Sequence, residues 1–459
     1  MTAGPRLECP VARAARLRPL APAIDFRGET LTYSQLDERV RAWQVRIAAA
    51  PVLPPPPAGL LLFAPGVSAP DTIALVHAAA RSGAALALLD PRLTAAETAA
   101  LVASLGPALS AAQLPPERAT RPPPVEPLDS RAQAPGASSI DPDAVQLLLF
   151  TSGTTGAPKA AQLTAGQLRQ SALASNAVLG IDHGSRFLCC LPLFHVGGLS
   201  IALRCAEAGA LLVLHERFDA EAATLALEDG ATHVSLVAST LARVLERTRR
   251  PLGHVRAALI GGGPVPQALL ERARAKGMPV LQTYGLTETC AQVTCERPGE
   301  ADGSTAGPPM PGMEVRIEDG EIEVRGPALM RGYLGQPPVS GWWRTGDLGA
   351  LDARGRLTVH ARRVDLILSG GENVYPAEIE AALLEHPAVI EAAVVPVADE
   401  RWGQAACAFV ALRSDCDLQA FLRGRLAGFK IPRRFVRINA LPRNAAGKVD
   451  RRALIRSLG

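Results

Sequence analysis

Four times in this chain an apolar run of strand length breaks into a loop of glycine, proline and hydroxyl residues. "VQLLLF" runs into "TSGTTGAPK", "RFLCC" into "LPLFHVGG", "VRAALI" into "GGGPVP", and "MPVLQT" into "YGLTET". Short, continuously apolar runs bounded by such breakers read as strands buried on both faces. Stretches such as "LRQSALASNAVLG" and "PQALLERARAKG" supply helices between them. Buried strands joined by helical crossovers make an α/β architecture with helices on both faces of mostly parallel sheets. Ligands in such sheets gather beyond the carboxyl ends of the strands. The four loops are expected there.

The texture changes after residue 300. "GMEVRIEDGEIEVRGPALMRGYLG" and "GWWRTGDLGALDARGRLTVHARRVDLILSGG" alternate like antiparallel strands. The expected organisation is an N-terminal domain over 1–363, with a β-rich subdomain at about 300–363. A small α+β C-terminal domain follows over 364–459. At 459 residues the chain is too long for one ordinary domain. The Pro/Ala-rich segment 107–140 reads as a surface excursion.

Composition removes several function classes. The formal net charge of +4 is spread thinly, and the most basic stretch, "ERTRRPLGHVR", reads as a solvated helix end. Nucleic acid is therefore not an expected partner. No apolar run approaches the ~18 residues of a membrane span, and the N-terminus has no continuous apolar core of a signal peptide. A cytoplasmic enzyme is the expectation, with a homo-oligomer left open. Eight cysteines are scattered with no CxxC pair, which suits reduced, buried thiols. Cys290 and His195 as a nucleophile and base have no local support.

The loop at 151–159 carries the most chemistry. Gly153 and Gly156 permit close backbone approach, and successive amides in such a turn form an anion-binding concavity. Thr151, Ser152, Thr154 and Thr155 add hydroxyl donors, and Lys159 adds a compact positive charge. That set suits a polyphosphate, although the P-loop pattern GxxxxGK[ST] is absent. The lysine is informative because 48 basic residues include only Lys159, Lys276, Lys430 and Lys448. Arginine serves nearly everywhere else. Two lysines beside glycine turns, in "GTTGAPK" and "NAAGK", mark places that want a flexible amine. His195, next to Gly197 and Gly198 at a strand's carboxyl end, reads as facing a ligand.

"LLLFTSGTTGAPK" resembles the phosphate-loop motif of the adenylate-forming superfamily, which includes acyl-CoA synthetases, adenylation domains and luciferases. "YGLTET", "GWWRTGDLG", "RRVDLILSGGENVYPAEIE" and "PRNAAGKVDRRAL" follow in that superfamily's order, so the resemblance covers residues 25–455. It implies the adenylate-forming fold with a mobile C-terminal domain, and ATP, Mg²⁺ and coenzyme A as ligands. It also implies residue roles. Tyr284 would stack on adenine with Gly285 beside it, Thr287 would contact phosphate, and Glu288 would hold Mg²⁺. Asp347, assisted by Arg362, would accept from the ribose hydroxyls. Lys448 would reach the α-phosphate and the carboxylate being activated. After adenylation the C-terminal domain would turn about Val364–Asp365, bringing Gly370 and Gly371 toward the pantetheine. Three departures stand out: Ala160 where glycine is usual, "ARR" for "GR", and Val364 where many members carry a charge.

Within the superfamily, "PLFHVGGLSI", "LIGGGPVPQALLE" and "SGGENVYPAEIE" resemble the 2-succinylbenzoate–CoA ligases. The histidine loop and the "GGGP" segment, including Gly263, would then frame an aromatic acid. Arg204 is a candidate for its second carboxylate. The alternatives are an aryl- or medium-chain acyl-CoA ligase, transfer to a carrier protein, or a nucleotide-binding regulator without catalysis.

Overall fold

The computed structural model describes residues 5–49, 60–106, 108, 138–151, 158–262, 265–362, 366–369, 372–399, 403–423, 425–426, 428–444 and 448–458. Most of the expected surface excursion at 107–140 lies outside them.

An eight-stranded sheet runs in the spatial order Thr294–Cys295, Val280–Tyr284, Ala257–Ile260, His233–Leu236, Arg186–Cys189, Leu211–Leu214, Pro22–Phe26, Glu29–Thr32. The six inner strands are parallel and each edge strand is antiparallel. A five-stranded sheet runs Gly332–Tyr333, Lys159–Thr164, Val145–Thr151, Ala85–Leu89, Leu61–Pro65. Its last three strands are parallel.

Helices Tyr33–Ala48, Pro70–Arg81, Ala165–Leu179 and Val196–Ala208 fill the space between these sheets. Their apolar faces join Leu62, Leu86, Leu147 and Leu163 of one sheet to Ile24, Phe187, Leu212 and Leu281 of the other in one core. A second core lies on the outer face of the larger sheet, under Ala220–Glu228, Ala238–Arg247 and Gln267–Ala275. Helix entry follows local rules. Thr32 and Thr164 each cap a helix, with Gln35 and Gln167 three residues on returning the bond.

One connection differs from the expected strand–loop–helix rhythm. The 151–159 loop joins Val145–Thr151 to Lys159–Thr164, which pair antiparallel with Thr151 opposite Lys159. It is a hairpin loop rather than a crossover turn. The run "KAAQLT" is short and only half apolar, so it carries too weak a strand pattern to stand out before the helix.

Glu314–Glu318, Glu321–Arg325, Trp343–Leu351 and Leu357–Arg362 form a four-stranded antiparallel sheet. This is the β-rich texture seen after residue 300. Strands Ile367–Ser369, Glu372–Val374, Val389–Asp399, Gly403–Leu412 and Arg434–Arg437 form a last sheet. Helices Pro376–Leu384, Leu418–Arg423 and Arg451–Arg456 accompany it, with two apolar clusters of their own.

The inner helical layer hides an ion pair between Arg81 and Asp37, whose side chains are 1% and 5% exposed. Gln44 accepts a further bond from Arg81 Nη1 at 3.4 Å. Removing one partner strands a charge away from water. Asp37→Ala is expected to cost about 3–5 kcal/mol of unfolding free energy, read by chemical denaturation. A loss under 1 kcal/mol would contradict the assigned burial.

Candidate active site

The strand Val280–Tyr284 ends at Gly285, and a side chain there could not be accommodated. A Cβ would sit 1.5 Å from the Ala291 carbonyl oxygen. This close approach folds residues 286–291 back as a tight turn, with Thr287–Thr289 in a single 3-10 turn. Cys290 and Ala291 then take positive φ values of 53° and 107°, which costs non-glycine residues of order 1–3 kcal/mol each. Ser171 Oγ donates to the Cys290 carbonyl at 2.7 Å and helps hold that conformation. The turn presents Thr287 and Glu288.

Glu288 is 8% exposed, and among the described residues no cationic side chain pairs with it. Its Oε1 accepts a bond from the Tyr333 hydroxyl at 2.7 Å. A buried carboxylate that meets a neutral donor fits a bound cation. No cluster of three His, Cys, Asp or Glu side chains suited to a metal occurs among the described residues. A cation at Glu288 therefore needs most of its ligands from phosphate and water, as Mg²⁺ on a nucleotide has.

Tyr284 reaches into the neighbouring four-stranded sheet. Its hydroxyl donates to Asp347 Oδ2 at 2.7 Å. Asp347 is 4% exposed. Its backbone N–H donates to Thr345 Oγ1 at 3.1 Å, and Thr345 Oγ1 donates to the Ile322 carbonyl at 2.8 Å. Arg362 sits directly across the strand pair from Asp347. Lys159 starts the strand after the hairpin loop, and its Nζ lies 5.2 Å from the centre of the Tyr333 ring. Thr151 closes the other side of that loop.

His195 stands at the N-terminus of Val196–Ala208. Gly198 lets this helix start hard against its own loop, since a Cβ there would meet the Pro192 carbonyl at 2.3 Å. The imidazole packs on Phe194 at 4.4 Å between ring centres, and its Nε2 is buried without a hydrogen-bond partner among the described residues. Burial pushes its pKa down to about 4. Lys448 and Arg92 push the same way, and Asp90 opposes them. The exposed Lys448 therefore stands close enough for its charge to act on His195. The Lys448 N–H donates to Asn444 Oδ1 at 3.0 Å, and the Asn444 N–H returns to the Lys448 carbonyl at 2.8 Å.

Arg204 lies two turns deeper on the same helix and is 2% exposed. Burial pushes its guanidinium down to about 10, with the neighbouring Cys295, Cys205 and Cys189 opposing. Its Nε has no hydrogen-bond partner, and no ion pair reaches it, among the described residues. The Cys290 thiol is buried and pushed well up by that burial, so it is not poised as a nucleophile.

Of the sites expected from sequence, Thr151, Lys159, His195, Tyr284, Gly285, Thr287, Glu288, Asp347 and Lys448 are described, as is the backbone of Arg362. Ser152, Gly153, Thr154, Thr155, Gly156, Gly263, Gly370 and Gly371 lie outside the described residues, as do the hinge positions Val364 and Asp365. The geometry links Tyr284 to Asp347, and Lys159 to Glu288 through Tyr333, while the Lys448 charge acts on His195. Three participants were not singled out by sequence: Tyr333, and the pair Asp90 and Arg92 beside His195. "ALALLDPR" carried a signal for that pair, because a charged couple directly follows a buried strand. Tyr333 carried none.

Residues 11–334 match the family described as AMP-binding enzyme, and residues 378–448 match the AMP-binding enzyme C-terminal domain. The chain belongs to the AMP-binding enzyme family. Among its relatives, the 2-succinylbenzoate–CoA ligase of Geobacillus kaustophilus is 38% identical, with 96% of each chain covered. The o-succinylbenzoate coenzyme A synthetase of Bacillus subtilis, solved with ATP and magnesium ion, is 33% identical. The match covers 98% of this chain and 100% of that one with a TM-score of 0.86. A double mutant of that synthetase bound to the product analogue OSB-NCoA is 32% identical over 98% of each chain, with a TM-score of 0.69. The fold is the adenylate-forming fold, and the chain's place within the family is among the 2-succinylbenzoate–CoA ligases.

The depressed pKa of His195 sets a sign for its pH behaviour. Its folded value lies below the ordinary 6.5, so protons bind the unfolded chain more readily between pH 6.5 and about 4. Its contribution to stability is intact above pH 6.5 and is lost as pH falls toward 4. In the folded enzyme the ring stays neutral from pH 5.5 to 8. The pH profile of pyrophosphate release is thus expected to have the same shape in wild type and His195→Gln. An inflection near 6.5 that disappears in the variant would overturn this.

Proposed function

We propose that the chain is an ATP-dependent acid–thiol ligase that activates 2-succinylbenzoate and delivers it to coenzyme A. In the first step an oxygen of the succinyl carboxylate attacks the α-phosphorus of ATP, and pyrophosphate leaves. In the second the coenzyme A thiolate attacks the acyl carbon, AMP leaves, and the thiol proton passes to solvent. The products are 2-succinylbenzoyl-CoA, AMP and pyrophosphate.

Bringing two anions together demands positive charge and N–H donors at the reacting phosphate. Residues 151–156 and Lys159 would hold the phosphates, with Thr287 beside them. Tyr284 and Gly285 would take the adenine, and Asp347 with Arg362 the ribose. Mg²⁺ at Glu288 would neutralise phosphate charge as pyrophosphate departs. Lys448 would place its ammonium between the α-phosphate and the attacking carboxylate. His195, as a neutral imidazole, would donate to or accept from the acid rather than neutralise it. Gly263 would border the acid, and Gly370 and Gly371 would admit the pantetheine once the 364–459 unit has turned about Val364–Asp365.

The single observation that carries the choice of acid is Arg204. A buried guanidinium with no carboxylate partner among the described residues is costly, unless the ligand brings the anion. A plain fatty or benzoic acid spends its one carboxylate at the phosphate. A dicarboxylic aromatic acid has a second for Arg204. Two facts support an adenylation-side resting shape. Lys448 acts on His195 electrostatically, and the TM-score is higher against the ATP complex than against the product-analogue complex at nearly equal identity.

Two measurements test this reading. Arg204→Leu is expected to lower kcat/KM for 2-succinylbenzoate about 100-fold, the size of a lost charge-assisted contact of roughly 3 kcal/mol. Activity toward 4-oxo-4-phenylbutanoate, which lacks the ring carboxylate, should be unchanged. Equal loss on both acids, or a wild-type preference for a fatty or plain benzoic acid, would sink the substrate assignment. Lys448→Ala is expected to slow adenylation about 100-fold or more while sparing thioester formation from supplied acyl-adenylate. Equal loss in both half-reactions would contradict the role given to Lys448.

A further inference from the structure

Glu288 and Lys159 carry opposite charges, and both touch the same side chain. The Tyr333 hydroxyl donates to Glu288 Oε1 at 2.7 Å, while the Lys159 ammonium lies 5.2 Å from the centre of the Tyr333 ring. Among the described residues neither charge is ion-paired, with the other or with any third group. We infer that Tyr333 is a positioning residue that holds these two charges apart and aimed, fixing the metal-facing carboxylate through its hydroxyl and the phosphate-facing lysine through its ring. The inference rests on the assignment of Glu288 to Mg²⁺ and of Lys159 to phosphate.

The backbone around Tyr333 is secured on both sides. Gly332 and Tyr333 pair with Gln162 and Ala161 in the strand that Lys159 begins. The Leu334 N–H donates to the Ala160 carbonyl at 2.8 Å, and the Met330 N–H to the Glu288 carbonyl at 2.7 Å. Segment 330–334 is therefore stitched to the phosphate-loop hairpin and to the turn that bears Glu288. A side chain from this segment can set the spacing between the two.

The chemistry of tyrosine suits that place. A phenol donating to a carboxylate fixes its rotamer and occupies one lone pair without cancelling its charge, so the carboxylate can still ligate a cation. An arginine or lysine there would compete with the metal. The face of the ring attracts an ammonium at this range but is not an anion, so Lys159 keeps its full charge for phosphate. Without the ring between them, lysine and glutamate would be free to collapse into an ion pair that neutralises both. Partners behind a metal ligand commonly govern metal affinity in this way.

The test compares wild type with Tyr333→Phe, Tyr333→Leu and Glu288→Gln. ATP binding is measured by calorimetry at graded Mg²⁺ and again in EDTA, with KM for the acid measured in parallel. Tyr333→Phe keeps the ring and loses the hydroxyl. It is expected to raise the Mg²⁺ needed for half-maximal ATP binding about tenfold. ATP affinity in EDTA and KM for the acid should not change. Tyr333→Leu should show a Mg²⁺ defect larger than that of Tyr333→Phe and weaken ATP binding in EDTA by about threefold. The inference is overturned if Tyr333→Phe needs no more Mg²⁺ than wild type while Glu288→Gln does. It is also overturned if Tyr333→Phe loses affinity for ATP and the acid alike, as a merely structural tyrosine would. If Glu288→Gln leaves the Mg²⁺ requirement unchanged, the metal assignment of Glu288 falls and this inference falls with it. None of these outcomes bears on which acid is activated.

Discussion

The proposed site is organised by charge that the protein holds without neutralising it. Glu288 meets a phenol, Lys159 meets the face of a ring, and Arg204 meets thiols. In each case the partner supplies orientation and almost no counter-charge. Burying Glu288 and Arg204 this way is unfavourable in the free protein. On the proposed assignments, that energy would become binding energy when a nucleotide, its cation and a dianionic acid bring the missing charges. The contrast with Arg81 and Asp37 is instructive. Those two groups are buried just as deeply in the helical layer and pair with each other, as charges with a purely structural task do.

Three sheets must meet for that arrangement to exist. Tyr284 comes from the end of a parallel strand in the eight-stranded sheet, Lys159 and Tyr333 from the five-stranded sheet, and Asp347 from the four-stranded antiparallel sheet. The bonds that tie them, Tyr284 to Asp347 and Tyr333 to Glu288, cross from one unit to the next. The carboxyl-end rule for α/β sheets accounts for Tyr284 and His195. It does not account for Lys159, which follows a hairpin loop between antiparallel strands. The proposed nucleotide site is therefore better described as a junction of sheets than as the mouth of one.

The sequence was legible where a residue's role is local. Buried strands show as unbroken apolar runs, and the glycines of "HVGG" and "YGLT" mark close backbone approaches at Gly198 and Gly285. Rare lysines in an arginine-rich chain stand out against their background. Legibility failed where a role depends on a partner far along the chain. Tyr333 lies 45 residues from Glu288, inside "MRGYLG", and nothing in its neighbours distinguishes it from a strand tyrosine at a half-buried position. Asp90 and Arg92 are visible as a charged couple after a buried strand, yet their role is not. They gain meaning only because the loop after Ala85–Leu89 packs against Phe194, with Arg92 5.4 Å from that ring. The hairpin was missed because "KAAQLT" is too short and too polar for its period to decide between strand and loop.

The strained turn after Glu288 fits the same logic. Two consecutive non-glycine residues at positive φ are unfavourable, and relaxing them would swing Thr287 and Glu288 away from the hairpin. Four contacts oppose that relaxation: the Gly285 approach, the Ser171 bond to the Cys290 carbonyl, the Met330 bond to the Glu288 carbonyl, and the Tyr333 bond to its side chain. They come from the inner helical layer and from the segment shared with the phosphate-loop hairpin. The turn is thus held by elements of the N-terminal sheets alone. Its geometry can persist while Lys448, carried by the C-terminal sheet and its loops, approaches or leaves. A fixed cradle and a separately mounted lysine suit the proposed two-step reaction, in which Lys448 would serve adenylation and withdraw before the thioester forms.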